Sequence, residues 1–348
     1  MILLEEKYMK RFLSVIALAV VLSLLSVLSL SSCMPEDEIE TKNRIFYDYF
    51  DTVSVIYDYS GGSDEDFESV CKGVEFELKT CHELFDIYNY YDGVTNLKVI
   101  NDRAGEGPVE VNERIIDMLE DAIELYHLTD GNVNVMMGAV LSIWHKHRAE
   151  GVSLPDMDVL RAASEHTSID SLVIDRERMT VEITDPEASL DVGAIAKGYT
   201  AELIYDMLTA YGLDGYVINL GGNLRTVGSK PNGDGWVSGI QNPDKTAADP
   251  YVAKLTISDS ALVTSGVYER YYVVDGVEYH HIINKDTLMP ERNYLSVTVH
   301  TGSSTVADAL STALFNMSID EGREVISGIP DTEIIYVLAD GSLERISS

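Results

Sequence analysis

Residues 189–212, SLDVGAIAKGYTAELIYDMLTAYG, constrain the fold of this chain more than any other stretch. A short apolar run reads as a strand ending at Asp191, and Gly193 permits a sharp turn. Ala201, Ile204, Tyr205, Leu208 and Tyr211 then recur at the spacing of an amphipathic helix, and Gly212 follows as a C-terminal cap. The first amides of such a helix have no intrahelical acceptors. Those around Ala194 to Gly198, with the Lys197 ammonium, could hold a phosphate while a turn carbonyl faces a cation. Plain strand-turn-helix architecture fits the same residues, so the chemistry must be argued from the rest of the chain.

The flanking pattern alternates strands and helices. Ile45 to Tyr59 reads as one strand bent at Asp51-Thr52, and Gly61-Gly62-Ser63-Asp64 as a turn and N-cap for a helix. That helix carries the stripe Phe67, Cys71, Val74, Leu78, Cys81 and Phe85. Ten helical residues separate Cys71 from Cys81 by about 15 Å, too far for a disulfide, so both read as buried thiols. No Cys/His spacing suits zinc or haem. Asn112 caps a helix that stops before Asp130-Gly131. Leu172–Ile174 and Met179–Ile183 form a hairpin, Tyr216–Leu220 a buried strand, and Gly221-Gly222-Asn223 a tight turn. Tyr268–Val274 and Val277–Ile283 flank the hairpin signal Asp275-Gly276. Ser296–His300, a helix from about Val306 and a hairpin turning at Asp340-Gly341 complete the reading. The class is α+β, with mixed, largely antiparallel sheets and packed helices.

The chain has 348 residues, 58 Asp plus Glu against 25 Lys plus Arg, and a formal net charge of −33. This balance argues against nucleic acid as a partner, because phosphate neutralisation needs clustered cations. Met9-Lys10-Arg11 and the apolar run Phe12 to Leu30 read as an export signal or an uncleaved anchor. Leu30-Ser31-Ser32-Cys33 resembles a bacterial lipobox. The expected organisation is therefore 1–33 signal and lipid attachment at Cys33, 34–43 tether, and 44–348 catalytic domain. Either reading holds the folded part outside the cytoplasm, at the cell membrane.

Asp308 and Thr312 are four residues apart at the start of an apolar helix, so a carboxylate and a hydroxyl share one face. Both are hard oxygen donors of the kind Mg²⁺ requires; a capping Asp and a buried Thr fit the same pattern. His280 and His281 sit on one expected strand, and only one of them can face a site. A neutral imidazole there could take a proton from an attacking hydroxyl, a role assigned to His281. Ser265, Glu269 and Arg270 read as scaffold.

Six segments carry a resemblance: SLDVGAIAKGYTAELIYDMLTAY, VINLGGN (217–223), GWVSGIQNP (235–243), ALVTSGVYERYY (261–272), EYHHII (278–283) and ADALSTALF (307–315). In this order they resemble the ApbE-type FAD:protein FMN transferases, and the likeness extends more weakly into YFDTVSVIY (49–57) and LFDIYNYYDGVTNLKVIN (84–101). The resemblance implies that Phe50, Tyr88, Asp191, Lys197 and Ile282 contact FAD. It also implies that Mg²⁺ is held by Asp308, Thr312 and the Ala194 carbonyl. Two places depart from the family pattern. Asn134, Met136 and Gly138-Ala139 stand where Asp, Thr and Gly-Pro are common, and Asn284-Lys285-Asp286-Thr287-Leu288 replaces Asp-Pro-x-Thr-Gly. The implied activity is Mg²⁺-dependent cleavage of the FAD pyrophosphate. FMN passes as a phosphoester to a Thr or Ser of exported or membrane redox proteins, and AMP is released. An FAD pyrophosphatase and a noncatalytic flavin-binding lipoprotein are the alternatives.

Overall fold

The computed structural model describes residues 41–348; the signal, the lipobox at Cys33 and most of the tether lie outside the described residues. The described part opens with a hairpin of β1 (Lys42–Tyr49) and β2 (Thr52–Asp58). The expectation of one bent strand is corrected here. Phe50 and Asp51 both take positive φ, 56° and 50°, closing a two-residue turn whose twist suits a hairpin.

α1 (Asp64–Phe85) starts as expected: Ser63 Oγ accepts from the Asp66 amide, and Asp64, Glu65 and Asp66 lie at the positive end of the helix dipole. Its stripe buries Cys71 and Cys81, both free thiols whose pKa burial pushes up to about 11. A short α2 (Leu97–Asp102), β3 (Val109–Glu110) and the Asn112-capped α3 (Glu113–Leu128) follow, then α4 (Gly138–Glu150) and α5 (Met157–Ser164). β4 (Leu172–Asp175) and β5 (Thr180–Ile183) form the expected hairpin, which β3 extends.

Residues 189–191 are extended but form no strand. They are tied to the segment before α4 by Gly138 N–H to Ser189 O, 3.1 Å, and Asp191 N–H to Val135 O, 2.8 Å. The chain then enters α6 (Ala196–Ala210), and Gly212 takes φ 70° beyond its end. β6 (Tyr216–Leu220) and β7 (Asn223–Val227) are joined through Gly221, where φ is 60° and a Cβ would lie 2.2 Å from Thr52 Oγ1. Only glycine meets both conditions.

The ribbon β8 (Trp236–Gln241) and β9 (Tyr251–Ile257) precedes β10 (Ala261–Gly266). The next hairpin, β11 (Tyr271–Val274) and β12 (Val277–His280), is shorter than expected: Tyr268 and Glu269 lie in a turn, and His281 is one residue past the strand end. β13 (Tyr294–Thr301), α7 (Ser304–Ala313), α8 (Ile319–Ile326), β14 (Glu333–Leu338) and β15 (Leu343–Ser347) complete the chain.

The main sheet has eight strands in the order β1-β2-β6-β7-β10-β13-β14-β15, all paired antiparallel. α1, α6 and α7 pack on one face. Strand alternation sends Ile56 and Ile218 to that face, and Tyr57 and Val217 to the opposite one, where the β8–β9 ribbon covers them with Trp236 and Ile257. A satellite core of Val140, Trp144, Leu160, Tyr272 and Leu288 fixes α4 and α5 against the β11–β12 hairpin. Among the described residues no helix is long and apolar enough to cross a membrane.

α6 and α7 approach so closely that a Cβ on Gly198 would sit 2.4 Å from Ser304 O and 2.6 Å from Asp308 Cβ. Neither neighbour can yield without moving a helix. Gly198→Ala should therefore destabilise the protein by roughly 1–3 kcal/mol, read as a lower urea midpoint at unchanged slope.

Candidate functional site

The α6–α7 contact brings Lys197 and Asp308 together, two of the residues expected at the phosphate and metal. Asp308 is 4% exposed and is the fifth residue of α7 rather than one at its start. Its Oδ2 accepts the Gly198 amide at 2.8 Å, so it caps the neighbouring helix α6 from the side. Lys197 Nζ lies 3.3 Å from Oδ1 and 3.4 Å from Oδ2. Thr312 follows one turn later on α7, and Ala194 lies in the turn that enters α6.

The helix amides are less available than the sequence suggested. Those of Ile195 and Ala196 donate to Val192 O, and that of Gly198 to Asp308. An anion here would therefore depend on side-chain cations more than on the helix end.

Asp191 turns its Oδ1 onto the Gly193 amide at 2.9 Å, and its Oδ2 lies 3.9 Å from His145 Nε2. His145 Nδ1 meets the Tyr88 hydroxyl at 2.9 Å, so a Tyr–His–Asp chain spans this side. Tyr88 is 60% exposed, which leaves its ring face open, while burial of the hydroxyl end and then Asp191 push its pKa up to about 12. Burial lowers the His145 pKa; Asp191 opposes this, and Arg148 and Arg270 reinforce it.

Phe50 sits at the β1–β2 turn, with its ring edge-on to His82 at 5.7 Å. Its amide donates to His82 Nδ1, and Tyr91 OH, which donates to Asp86, lies 3.1 Å from His82 Nε2. This pattern requires a neutral His82 with its proton on Nε2. It ties the turn carrying Phe50 to the loop carrying Tyr88. The Ile282 side chain is buried in the main core, and its amide donates to His280 Nδ1. Only its carbonyl side could meet a cofactor.

The two histidines divide their work. His280 Nε2 donates to Glu291 O while Nδ1 accepts from Ile282, so both nitrogens serve the backbone. His281 Nδ1 is buried without a partner. Its pKa is lowered to about 3, by burial first and then by Arg270, Arg148, His280 and Lys197.

In the departing loop, Asn284 Oδ1 accepts the amides of Asp286 and Thr287, and Leu288 takes φ 59°. A left-handed conformation that glycine adopts freely is thus kept by a buried leucine, whose carbonyl accepts Trp144 Nε1 at 3.0 Å. Asn134 Nδ2 donates to Thr167 O and its Oδ1 accepts the Met136 amide, so at the other departure it serves the local backbone. Ser265 Oγ meets Ser311 Oγ, a scaffold contact as expected.

Sequence reading missed His145, Arg148 and the cationic role of Arg270. His145 and Arg148 follow Trp144 on a helix of low amphipathicity, and only the packing of α4 on the β11–β12 hairpin brings them to the site.

The donors suit a hard divalent cation in type: one buried carboxylate, one hydroxyl and one carbonyl, with room in the coordination shell for water and phosphate. Among the described residues no three His, Cys, Asp or Glu side chains converge, so a cation here would rest on that single carboxylate.

Together these features define an α+β protein with a buried carboxylate–lysine pair at the crossing of two helices and a histidine-bearing hairpin. The ApbE family model matches residues 52–336, and the chain belongs to that family. It is 32% identical over 259 residues to the FAD:protein FMN transferase of Treponema pallidum, covering 70% of this chain and 71% of that one. It is 33% identical over 239 residues to the FAD:protein FMN transferase of Klebsiella pneumoniae, covering 68% and 73%. The crystal structure of the ApbE protein from Thermotoga maritima superposes with a TM-score of 0.77 at 28% identity, covering 88% of this chain and 97% of that one. The flavin transferase ApbE from Vibrio cholerae, at 24% identity and a TM-score of 0.72, shares the fold.

His281 also makes a stability prediction. The unfolded imidazole takes a proton near pH 6.5, whereas the folded one stays neutral down to about 3. Between those values the unfolded chain binds the extra proton, so stability falls as pH falls. Moving from about pH 7 to about pH 4.5 should lower the urea midpoint less in His281→Gln than in the parent.

Proposed function

We infer that this chain is an FAD:protein FMN transferase. The observation that carries the reading is the meeting of Asp308, Lys197 and the Gly198 amide at one helix crossing, in a chain whose curated relatives bear that activity in their names. The acceptor is a Thr or Ser hydroxyl of an exported or membrane-bound redox protein. Its oxygen attacks the FMN phosphorus of FAD, the pyrophosphate P–O bond breaks, and AMP leaves.

Each residue has a part in this scheme. Tyr88 and Phe50 border the flavin ring, with Tyr88 offering an exposed ring face. Asp191 accepts from a hydroxyl or amine of the cofactor, and the Ile282 carbonyl faces it. Lys197 balances Asp308 and is long enough to turn toward a phosphate. His281 takes the proton of the attacking hydroxyl. Its imidazole is neutral over the working range, as a proton acceptor must be, but burial first and then the surrounding cations make it a weak base. Phosphates bound among those cations cancel them and raise its basicity when substrate is present. Mg²⁺ held by Asp308, Thr312 and the Ala194 carbonyl would offset the charge that develops as the pyrophosphate bond breaks.

The proposed address is the outer face of the cell membrane, through lipidation of Cys33 and the tether that follows. Anchoring there holds the enzyme beside membrane redox acceptors.

Intact-mass analysis of an exported flavoprotein fragment incubated with the protein, FAD and Mg²⁺ tests the reaction. The expected result is a mass gain of FMN less water. His281→Ala should lower the transfer rate by roughly 10²–10⁴-fold while FAD still binds. Free FMN and AMP with no mass gain would mean a hydrolase, and intact FAD a binding protein.

A further inference from the structure

Arginine pairing singles out one position on α4. Among the described residues, four arginines are buried or half-buried: Arg44, Arg114, Arg148 and Arg225. Arg44 pairs with Glu68, Arg114 with Glu77 and Arg225 with Glu202. Among the described residues, Arg148 has no carboxylate within 4.0 Å and no hydrogen-bond acceptor. In a chain with 58 acidic residues, a half-buried guanidinium left unpaired points to an anion that arrives from outside.

The fold gives Arg148 a companion. The β11–β12 ladder ends at the Tyr271–His280 pair, and Arg270 and His281 are the residues immediately beyond it on the two strands. Trp144 stacks on Tyr279 across that hairpin at 6.4 Å, and Arg148 lies one turn beyond Trp144 on the same face of α4. Both guanidiniums act electrostatically on His281, from two elements that the satellite core locks together. Arg270 likewise makes no ion pair among the described residues.

Their mutual proximity shows in their surroundings. Burial lowers the Arg148 pKa and Arg270 lowers it further, while Tyr88, Asp191 and Tyr272 oppose the shift. Arg270, Arg148 and Lys197 all act on His281, whose buried Nδ1 has no partner. Like charges gathered around an orphaned nitrogen are unfavourable unless a multivalent anion fills the space between them.

We propose that Arg148 and Arg270 form a clamp on the pyrophosphate of FAD, a pair of binding residues additional to Lys197 and the Asp308 end of the site. The assignment rests on the transferase reading. Two guanidinium forks can each take two phosphate oxygens, which a single lysine cannot do. The clamp orients the pyrophosphate beside His281, and it discharges the cationic field on that imidazole when substrate binds.

The test uses the full-length protein with Arg148→Gln, Arg270→Gln and Arg148→Lys. Binding of FAD and of riboflavin, which shares the ring but lacks phosphate, is measured by flavin fluorescence. The expected result is an FAD dissociation constant raised roughly tenfold or more in each Gln variant, with riboflavin within about twofold of the parent. Arg148→Lys should recover part of the loss, since it keeps the charge without the fork. In the ligand-free protein, the His281 ring resonances should titrate at higher pH in both Gln variants, because a positive neighbour has been removed; a merely structural role would not produce this shift. Unchanged FAD affinity in both Gln variants, or an equal loss for FAD and riboflavin, would overturn the clamp. A parent protein that binds no FAD would overturn the transferase reading itself, and the clamp with it.

Discussion

A buried carboxylate shared between two helices is the contact on which the rest of the site depends. Asp308 belongs to α7, yet its Oδ2 completes the first turn of α6 through the Gly198 amide, and Lys197 supplies its countercharge. Gly198 makes this possible by having no side chain where the helices cross. Removing Lys197 would leave a desolvated carboxylate with one backbone donor, a loss on the order of 3–5 kcal/mol for a fully buried pair and less here, because the ammonium is 25% exposed. The same arrangement fixes where negative charge sits in the site, and therefore where a cation or a phosphate can be received.

The second half of the site is assembled independently. Trp144, Tyr272 and Tyr279 lock α4 to the β11–β12 hairpin, and Trp144 Nε1 holds the Leu288 carbonyl in a turn that leucine adopts only under strain. His281, Arg270, Arg148 and His145 all stand on that rigid unit. Lys197 on the helix crossing and Arg148 and Arg270 on the hairpin side all act on His281, which links the two halves.

Much of this was legible in the sequence because it is encoded locally. Turn pairs such as Asp275-Gly276, caps such as Ser63 and Asn112, and the apolar stripe of α1 each specify their element through nearest-neighbour physics. The i,i+4 spacing of Asp308 and Thr312 put both on one helix face. The bent strand over Ile45 to Tyr59 misled because a Phe-Asp turn with two positive φ angles carries no glycine signal. His281 was placed on a strand because nothing local marks the ladder's end at His280. Arg148 and His145 could not be found from pattern at all. Their function follows from a tertiary contact between α4 and a hairpin more than a hundred residues away, and a lone cation after a tryptophan has no signature of its own. The Asp308 to Gly198 cap is of the same kind, a side chain serving a helix 110 residues distant.

In this scheme the charge of Asp308 is functional and its hydrogen bond structural, and Asp308→Asn separates the two. Asparagine can still accept the Gly198 amide through Oδ1 but brings no negative charge. FMN transfer to a protein acceptor and the urea midpoint, both measured on this variant, test the claim most directly. The expected result is a stability, read from the urea midpoint, lowered by about 1 kcal/mol or less, with transfer lowered by roughly a hundredfold or more. Transfer at the parental rate in a stably folded Asp308→Asn protein would contradict the account, because the carboxylate would then be a helix cap and nothing more.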